Sequence, residues 1–402
     1  MDKADVVIVG AGPAGSSAAF FLAQQGIEVV LIDKSHFPRE KACGDGLGPR
    51  AIQIMNKMGL GNWLASGSYY RCNRVRMVSS MGSRFEAHIP AEDTPYPYFY
   101  IVSRRDLDHK LVETASSAGA RVYMGHKAVF PVVSNGTVKG VRTSCNGEET
   151  EISCKILVCA DGTNGSFAKY LGLQSVKPHA FAARAYFSNV KGLDDCINIY
   201  IDERIPEGYA WIFPVSETTA NIGLGVSCPK MKQLDVDVKR LIRWFVSEKD
   251  TSPIDLSDAA AATDIKGAHL RMGYGRYKSV ADGVLLVGDS AGLINPLTGE
   301  GIAYALESGE QAALVIRHAF SKGDISERAL MLYQNHLNKN FYMNHRVYEL
   351  IRFGLANYTW MDKLIKKGAK HPELAAKFTS IMMSTAKPSS IFMPKMLRCM
   401  LF

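Results

Sequence analysis

Residues 6–9, Val6-Val7-Ile8-Val9, form an unbroken apolar run of the kind found in a strand buried on both faces, and a helical pattern follows it as far as Gln25. A second strand over 28–32 comes next, so the chain opens as strand, helix, strand. After the proline-rich break at 94–97, apolar residues recur every fourth position in Arg104-x-x-Leu107-x-x-x-Leu111-x-x-x-Ala115, which predicts a helix with one buried face, closed at Gly119. Strand-like segments over 121–124, 128–133 and 138–143 follow, the last two joined by Asn135-Gly136 as a hairpin turn. Residues 156–160 again read as a fully buried strand, ending in Asp161-Gly162. From about 177 to 266 the pattern changes to alternation, which predicts an antiparallel sheet. The buried-strand style returns over 283–289 and leads into a long amphipathic helix from about 299 to 318. The remainder is helical and rich in methionine.

The loop between the first strand and helix is Gly10-Ala11-Gly12-Pro13-Ala14-Gly15, which identifies a dinucleotide-binding unit. Gly10 permits the tight turn, Gly12 lets backbone approach a pyrophosphate, and Gly15, next to Ala14, lets helix and strand pack closely. Asp33, followed by Lys34, ends the second strand, where an acid suits an adenosine 2′-hydroxyl and repels a 2′-phosphate; this favours FAD or NAD over NADP. A second acid sits on the turn Gly288-Asp289, and a loop through Gly299 and Gly301 opens a helix at Ile302. FAD needs such a distant anchor, because its ribitol and isoalloxazine extend far beyond the adenosine. The expected organisation is a discontinuous nucleotide-binding domain over 1–68, 103–174 and 276–320, an antiparallel-sheet domain over 69–102 and 175–275, and a helical region over 321–402.

Charge changes the picture only at the end of the chain. The 402 residues carry a net charge of +8, and residues 335–402 hold eleven Lys and Arg against Glu349, Asp362 and Glu373, which accounts for the whole excess. Basic residues interleaved with Met and Phe suit docking on an anionic membrane surface, and equally a helical cap with a solvated basic face. No nucleic-acid motif accompanies them. Eight cysteines without a C-x-x-C, and ten histidines without ligand spacing, point to no disulfide framework and no metal site. No stretch reaches the length of a membrane span, and the chain enters a strand at once; the expected compartment is the cytoplasm, with peripheral membrane contact.

Gly10 to Gly15, Asp33, the Arg104 helix, Asp161-Gly162 and Gly288-Asp289 together resemble the p-hydroxybenzoate-hydroxylase-like flavoprotein superfamily over residues 1–320. Two local motifs, Phe37-Pro38-Arg39-Glu40-Lys41-Ala42-Cys43-Gly44-Asp45-Gly46 and Tyr209-Ala210-Trp211-Ile212-Phe213-Pro214 with Gly223-Leu224-Gly225 after it, are similar to signatures of its geranylgeranyl reductase family. The resemblance implies an α/β fold, a Rossmann-like FAD-binding domain of the glutathione-reductase type, with an antiparallel-sheet substrate domain and a C-terminal helical region. It implies bound FAD, held by the glycines and acids named above with Arg104, Asp161, Gly162 and the 43–46 loop. It also implies that C=C bonds of a geranylgeranyl or other polyprenyl chain are saturated by hydride from reduced FAD. The electrons would come from NAD(P)H or ferredoxin.

By that resemblance Cys43 lies beside the isoalloxazine, and Tyr209, Trp211, Phe213, Pro214, Gly223 and Gly225 surround the lipid, with Cys43, Tyr209 and Trp211 as catalytic residues. From the residues themselves, Cys43 in a glycine-rich loop near Arg39 and Lys41 is expected to be accessible and to have a lowered thiol pKa. Tyr209 and Trp211 alternate with Ala210 and so share a sheet face, which lines a pocket or fills a core. The same scaffold carries monooxygenases and halogenases, but Tyr209 and Phe213 replace the first Trp and the Ile of the halogenase Trp-x-Trp-x-Ile-Pro pattern. Non-catalytic prenyl-binding escorts also share the architecture; the intact glycines argue for a bound flavin instead.

Overall fold

The computed structural model describes residues 2–173, 177–275 and 277–401. Met1, Phe402 and the expected domain limits at 174, 175 and 276 lie outside the described residues.

The apolar runs assemble into one sheet in the order Val280–Ala281, Val284–Leu286, Ile156–Cys159, Val6–Val9, Val29–Asp33, Arg121–Met124, parallel throughout except for the first pair. All three inner runs are fully buried, which is why they carry no polar alternation. The helix Pro13–Ala23 packs between Arg104–Ser117 and Ile302–Lys322. It meets the latter backbone to backbone: a Cβ on Gly309 would stand 2.4 Å from the Ala14 carbonyl oxygen, and Ser17 Oγ donates to the Leu306 carbonyl at 2.7 Å. The hairpin Lys127–Ser134 and Thr137–Cys145 turns at Asn135-Gly136, both with positive φ as the Asn-Gly pair predicts, and joins Glu148–Ser153 and Asp2–Lys3 in a separate sheet.

The alternating segment forms the expected second sheet. Its order is Ala260–Ala261, Ala180–Ser188, Ala220–Ser227, Tyr209–Pro214, Cys196–Ile201, Arg74–Ser79, Arg84–His88, with Lys266–Leu270 also paired to Ala180–Ser188. Pairing is antiparallel except between Cys196–Ile201 and Arg74–Ser79, where the chain's earlier excursion docks. Alternation also missed two helices here, Cys228–Gln233 and Val238–Glu248. The second was signalled by Asp237, whose carboxylate caps the backbone N–H groups of Lys239 and Arg240 at 2.9 and 3.1 Å. One sheet face packs on that helix through Ala210, Ile212, Ile242 and Phe245.

The opposite face is covered by the C-terminal helices Tyr358–Lys370 and Pro372–Met382, through Met361, Ile365, Phe378 and Met382 against Met77, Ile199 and Trp211. Each such side chain contributes about 1.5–3 kcal/mol of burial free energy. The methionine-rich tail is therefore largely core. A minority of its apolar residues face outward: Met343, Leu350, Phe353, Trp360, Phe392 and Met393 are exposed. The preceding helix, Glu327–Leu337, packs instead on the nucleotide-binding core through Leu330, Tyr333 and Leu337. Among the described residues, no helix is long and apolar enough to cross a membrane.

Candidate active site

Gly10 adopts φ +103°, and a Cβ there would stand 2.3 Å from the Ala160 carbonyl oxygen, so only glycine can make this turn. A Cβ on Gly15 would fall 1.8 Å from the Gly10 carbonyl oxygen. Above Gly12 the nearest atom to such a Cβ is the Arg39 guanidinium at 3.9 Å, and no side chain caps the helix that starts at Pro13. The loop thus presents open backbone N–H groups to an anion. Asp33 Oδ2 accepts the Ala11 N–H at 2.9 Å, fixing the acid at the end of its strand beside this opening, while Lys34 is exposed.

The second anchor closes on the first. Gly288, at φ +60°, lies so near Ala14 that a Cβ would come within 2.9 Å of the alanine methyl. Asp289 accepts from Thr163 Oγ1 at 3.3 Å and faces Gly301, at the start of the helix opening with Ile302. Arg39, Lys41 and Arg104 gather here: Arg104 makes paired bonds to buried Asp108 at 2.8 and 2.7 Å, Arg39 reaches the same carboxylate at 3.0 Å, and the Lys41 amine stands near Gly162. Burial, then Arg104, push Lys41 below its ordinary pKa, while Asp289 and Asp108 pull it up. A glycine turn facing three cations, with Asp33 beside its opening and Asp289 at the second anchor, fits the pyrophosphate and hydroxyls of FAD. Asp161 is used locally, accepting the Phe167 N–H at 3.1 Å.

Cys43 to Gly48 packs against the second sheet. Asn221, fully buried, receives the Trp211 indole N–H at 3.0 Å and donates to the Cys43 carbonyl at 2.8 Å and to Asp45 at 2.7 Å. Arg184, also buried, donates to the carbonyls of Cys43 and Lys41 at 3.3 and 3.2 Å. Asp45 has φ +67°, uncommon outside glycine, and burial pushes its carboxyl up to about 6, against the pull of Tyr186, Arg184 and Asn221. Cys43 is half-buried, and the expectation of a lowered thiol is corrected. Burial raises its thiol above the ordinary value, while the Arg104 guanidinium opposes this and Asp45 adds to it, so the thiol is neutral. Arg39 beside it in sequence is engaged with Asp108.

Tyr209, Trp211 and Phe213 share one sheet face, their ring centres 6.1 Å apart at each step, while Ala210 points into the opposite core. Their cross-strand partners are Gly225, Gly223 and Asn221, and Gly223 makes room for the central ring: a Cβ there would meet the Trp211 ring at 2.4 Å. Gly44 lies against Phe213 and Trp211, and Gly46 against Phe213 and Phe99, so the rings face the Cys43 loop. Pro214 is buried at the strand end. The Tyr209 hydroxyl donates to the Thr298 carbonyl, on the same loop as Gly299, Glu300 and Gly301.

The two motifs singled out from sequence thus meet face to face. Sequence reasoning missed Asn221, Arg184, Tyr186 and Glu300, and the tail residue Ser384, whose hydroxyl donates to Glu300 at 3.1 Å. Two of these had a signal, since Asn221 and Arg184 are the polar interruptions of apolar strands.

Comparison with known proteins gives a concordant picture. A family model for an FAD binding domain matches residues 3–335. The menaquinone reductase of Mycobacterium tuberculosis is 36% identical over 320 residues, covering 78% of this chain and 76% of that protein. The digeranylgeranylglycerophospholipid reductase of Methanothrix thermoacetophila is 32% identical over 338 residues, covering 83% of this chain and 82% of that protein. Among solved structures, a geranylgeranyl bacteriochlorophyll reductase-like protein from Thermoplasma acidophilum superposes with a TM-score of 0.86 at 26% identity, covering 99% of this chain and 98% of that one.

Proposed function

The chain belongs to the FAD binding domain family, and from that premise we propose that it is an FAD-dependent reductase saturating C=C bonds of a geranylgeranyl or other polyprenyl chain. The observation that carries this reading is the aromatic face of Tyr209, Trp211 and Phe213 set against the Cys43–Gly48 loop, where the cofactor groove ends. Two relatives named for reduction of a prenylated quinone and a geranylgeranylated lipid support it.

FAD, when bound and reduced, supplies a hydride. The chain's own residues do the rest. The glycine turn, Arg39, Lys41 and Arg104 hold the pyrophosphate, and Asp33 and Asp289 receive hydroxyls. An isolated alkene accepts hydride poorly, so positive charge must develop on carbon as a proton arrives. The three rings can stabilise that charge by about 0.5–2 kcal/mol each. They also exclude water. Cys43, neutral, forms the wall at the reacting end, held by Asn221 and Arg184. The electrons come from NAD(P)H or a ferredoxin, and anaerobic bleaching of the flavin by each separates the two.

The deciding experiment is anaerobic. Dithionite-reduced holoenzyme mixed with geranylgeranyl diphosphate or a geranylgeranylated phospholipid is expected to regain its flavin absorbance, with product two hydrogens heavier per double bond. Reoxidation that waits for O2 would instead indicate oxygenase or halogenase chemistry. Cys43→Ala is expected to keep its flavin and lose about tenfold to a hundredfold in rate, because the reacting carbon loses its wall. Wild-type turnover would remove Cys43 from the site.

Peripheral docking on an anionic membrane completes the proposal. Met343, Leu350 and Phe353 lie on one face of the helix Met343–Leu355, with Arg346 among them, and exposed Trp360 and Lys363 follow. Sedimentation with phosphatidylglycerol vesicles, but not with phosphatidylcholine vesicles, is expected; Phe353→Glu should abolish it.

A further inference from the structure

We infer that Glu300 is the acid that protonates the alkene, and that Ser384 of the C-terminal region is its positioning residue. This rests on the reductase reading above. Glu300 follows Gly299, whose backbone lies against the Tyr209 hydroxyl, and one Glu300 carboxylate oxygen stands 3.4 Å from the Cβ position of Gly48, beside the Phe99 ring. The carboxyl is surrounded by protein, beside the Cys43–Gly48 loop and next to the glycine that lies against Tyr209. Arg50, whose charge acts on Glu300, forms its ion pair with Glu307 and lies over the Tyr304 ring, 4.7 Å from its centre.

The groups facing Glu300 set its protonation. Burial, the dominant influence, pushes the carboxyl up to about 7; Arg50 and the Ser384 hydrogen bond pull it down, and Glu307 pushes it up by less. The phenols of Tyr209, Tyr304 and Tyr348 also face it, and burial keeps each of them neutral. Ser384 is fixed by a network in which Asn295 Nδ2 donates to its hydroxyl at 3.3 Å and the Tyr304 hydroxyl lies 3.2 Å away. An acid poised near neutral pH is both protonated enough to act and acidic enough to give up its proton.

In the step itself, the Glu300 O–H bond breaks as a C–H bond forms at one alkene carbon, and the π bond breaks. The hydride, bringing two electrons, forms the second C–H bond at the neighbouring carbon. The carboxylate left behind takes a proton from water before the next turnover. The balance is one hydride and one proton per double bond.

The test follows anaerobic reoxidation of the reduced holoenzyme by geranylgeranyl diphosphate between about pH 5 and 9, beside an infrared titration that needs no turnover. In the wild type the rate is expected to be high at low pH and to fall about tenfold per pH unit above the ionisation of Glu300, with a carboxylic-acid carbonyl band fading over the same range. Glu300→Gln is expected to lose that band, to lose that fall in rate, and to react about 10²-fold or more slowly. Glu300→Asp should recover part of the rate. Ser384→Ala removes a bond that favours the charged carboxylate, so its midpoint should move to higher pH; this variant decides the matter if Glu300→Gln fails to retain flavin. A Glu300→Gln enzyme with wild-type rate and profile, or an unmoved midpoint in Ser384→Ala, overturns the proposal. A wild-type enzyme that stays reduced with the prenyl substrate until O2 is admitted, while the infrared band still titrates, overturns the reductase reading itself.

Discussion

Gly15→Ala is expected to yield a protein that purifies without its yellow colour. The new methyl carbon would be placed 1.8 Å from the Gly10 carbonyl oxygen and 3.1 Å from Ala160 Cβ. Neither neighbour can yield. Gly10 is itself pressed against the Ala160 carbonyl in a backbone conformation open only to glycine, and Ala160 extends the buried central strand. The helix start must therefore lift away from the loop, taking with it the N–H groups that face the pyrophosphate. Overpacking of this kind costs about 1–3 kcal/mol, or about tenfold to a hundredfold in affinity. Flavin absorbance per protein after desalting, followed by titration with FAD, measures it. A yellow variant of undiminished affinity would mean that the turn is not where the cofactor sits.

Asn221→Leu is expected to disable the site while sparing the cofactor seat. The substitution preserves volume but takes a partner from three buried groups at once: the Trp211 indole N–H loses its acceptor, while the Cys43 carbonyl keeps Arg184 and the Asp45 carboxyl keeps Tyr186. The stranded indole N–H costs about 1–3 kcal/mol, so the melting temperature should fall clearly. Asp45 also loses a bond that favours its charged form, so its carboxyl should rise further above about 6. With the loop released from the aromatic face, turnover should drop about 10²-fold, because the reacting groups lose their alignment. Thermal melts with and without added FAD, together with the anaerobic assay, separate the two effects. Wild-type turnover in a destabilised but yellow protein would show that the loop needs no such anchoring.

The cofactor half of the site was legible because its signals are local. Gly10, Gly12 and Gly15 lie within six residues, on a turn between a strand and a helix that each announce themselves by period. The substrate half was legible only as two motifs. What joins them is not local: Asn221 reaches Cys43 across 178 residues, and Ser384 reaches Glu300 across 84. No spacing rule connects such pairs, and a lone Asn or Arg in an apolar strand announces burial without naming its partner. Cys43 shows the converse failure. Two cations beside it in sequence suggested a lowered thiol, but Arg39 turns to Asp108 and burial outweighs the charge that remains. The tail divides between its side chains: Met361 and Met382 are core, and Met343 and Phe353 face outward.

The order of strands in the first sheet has a consequence for how the protein is made. Ile156–Cys159 sits between Val6–Val9 and Val284–Leu286, and the helix bearing Gly309 presses on the one that begins at Pro13. A ribosome reaches Val284–Leu286 and the Gly309 helix only after the entire second sheet has been synthesised. Until then the glycine turn has no roof and the nascent chain exposes apolar strand edges, a topology rich in long-range contacts that folds slowly. Flavin loading is therefore a late event in the life of each molecule, and cells short of riboflavin should accumulate full-length but incompletely closed chains rather than shorter folded fragments.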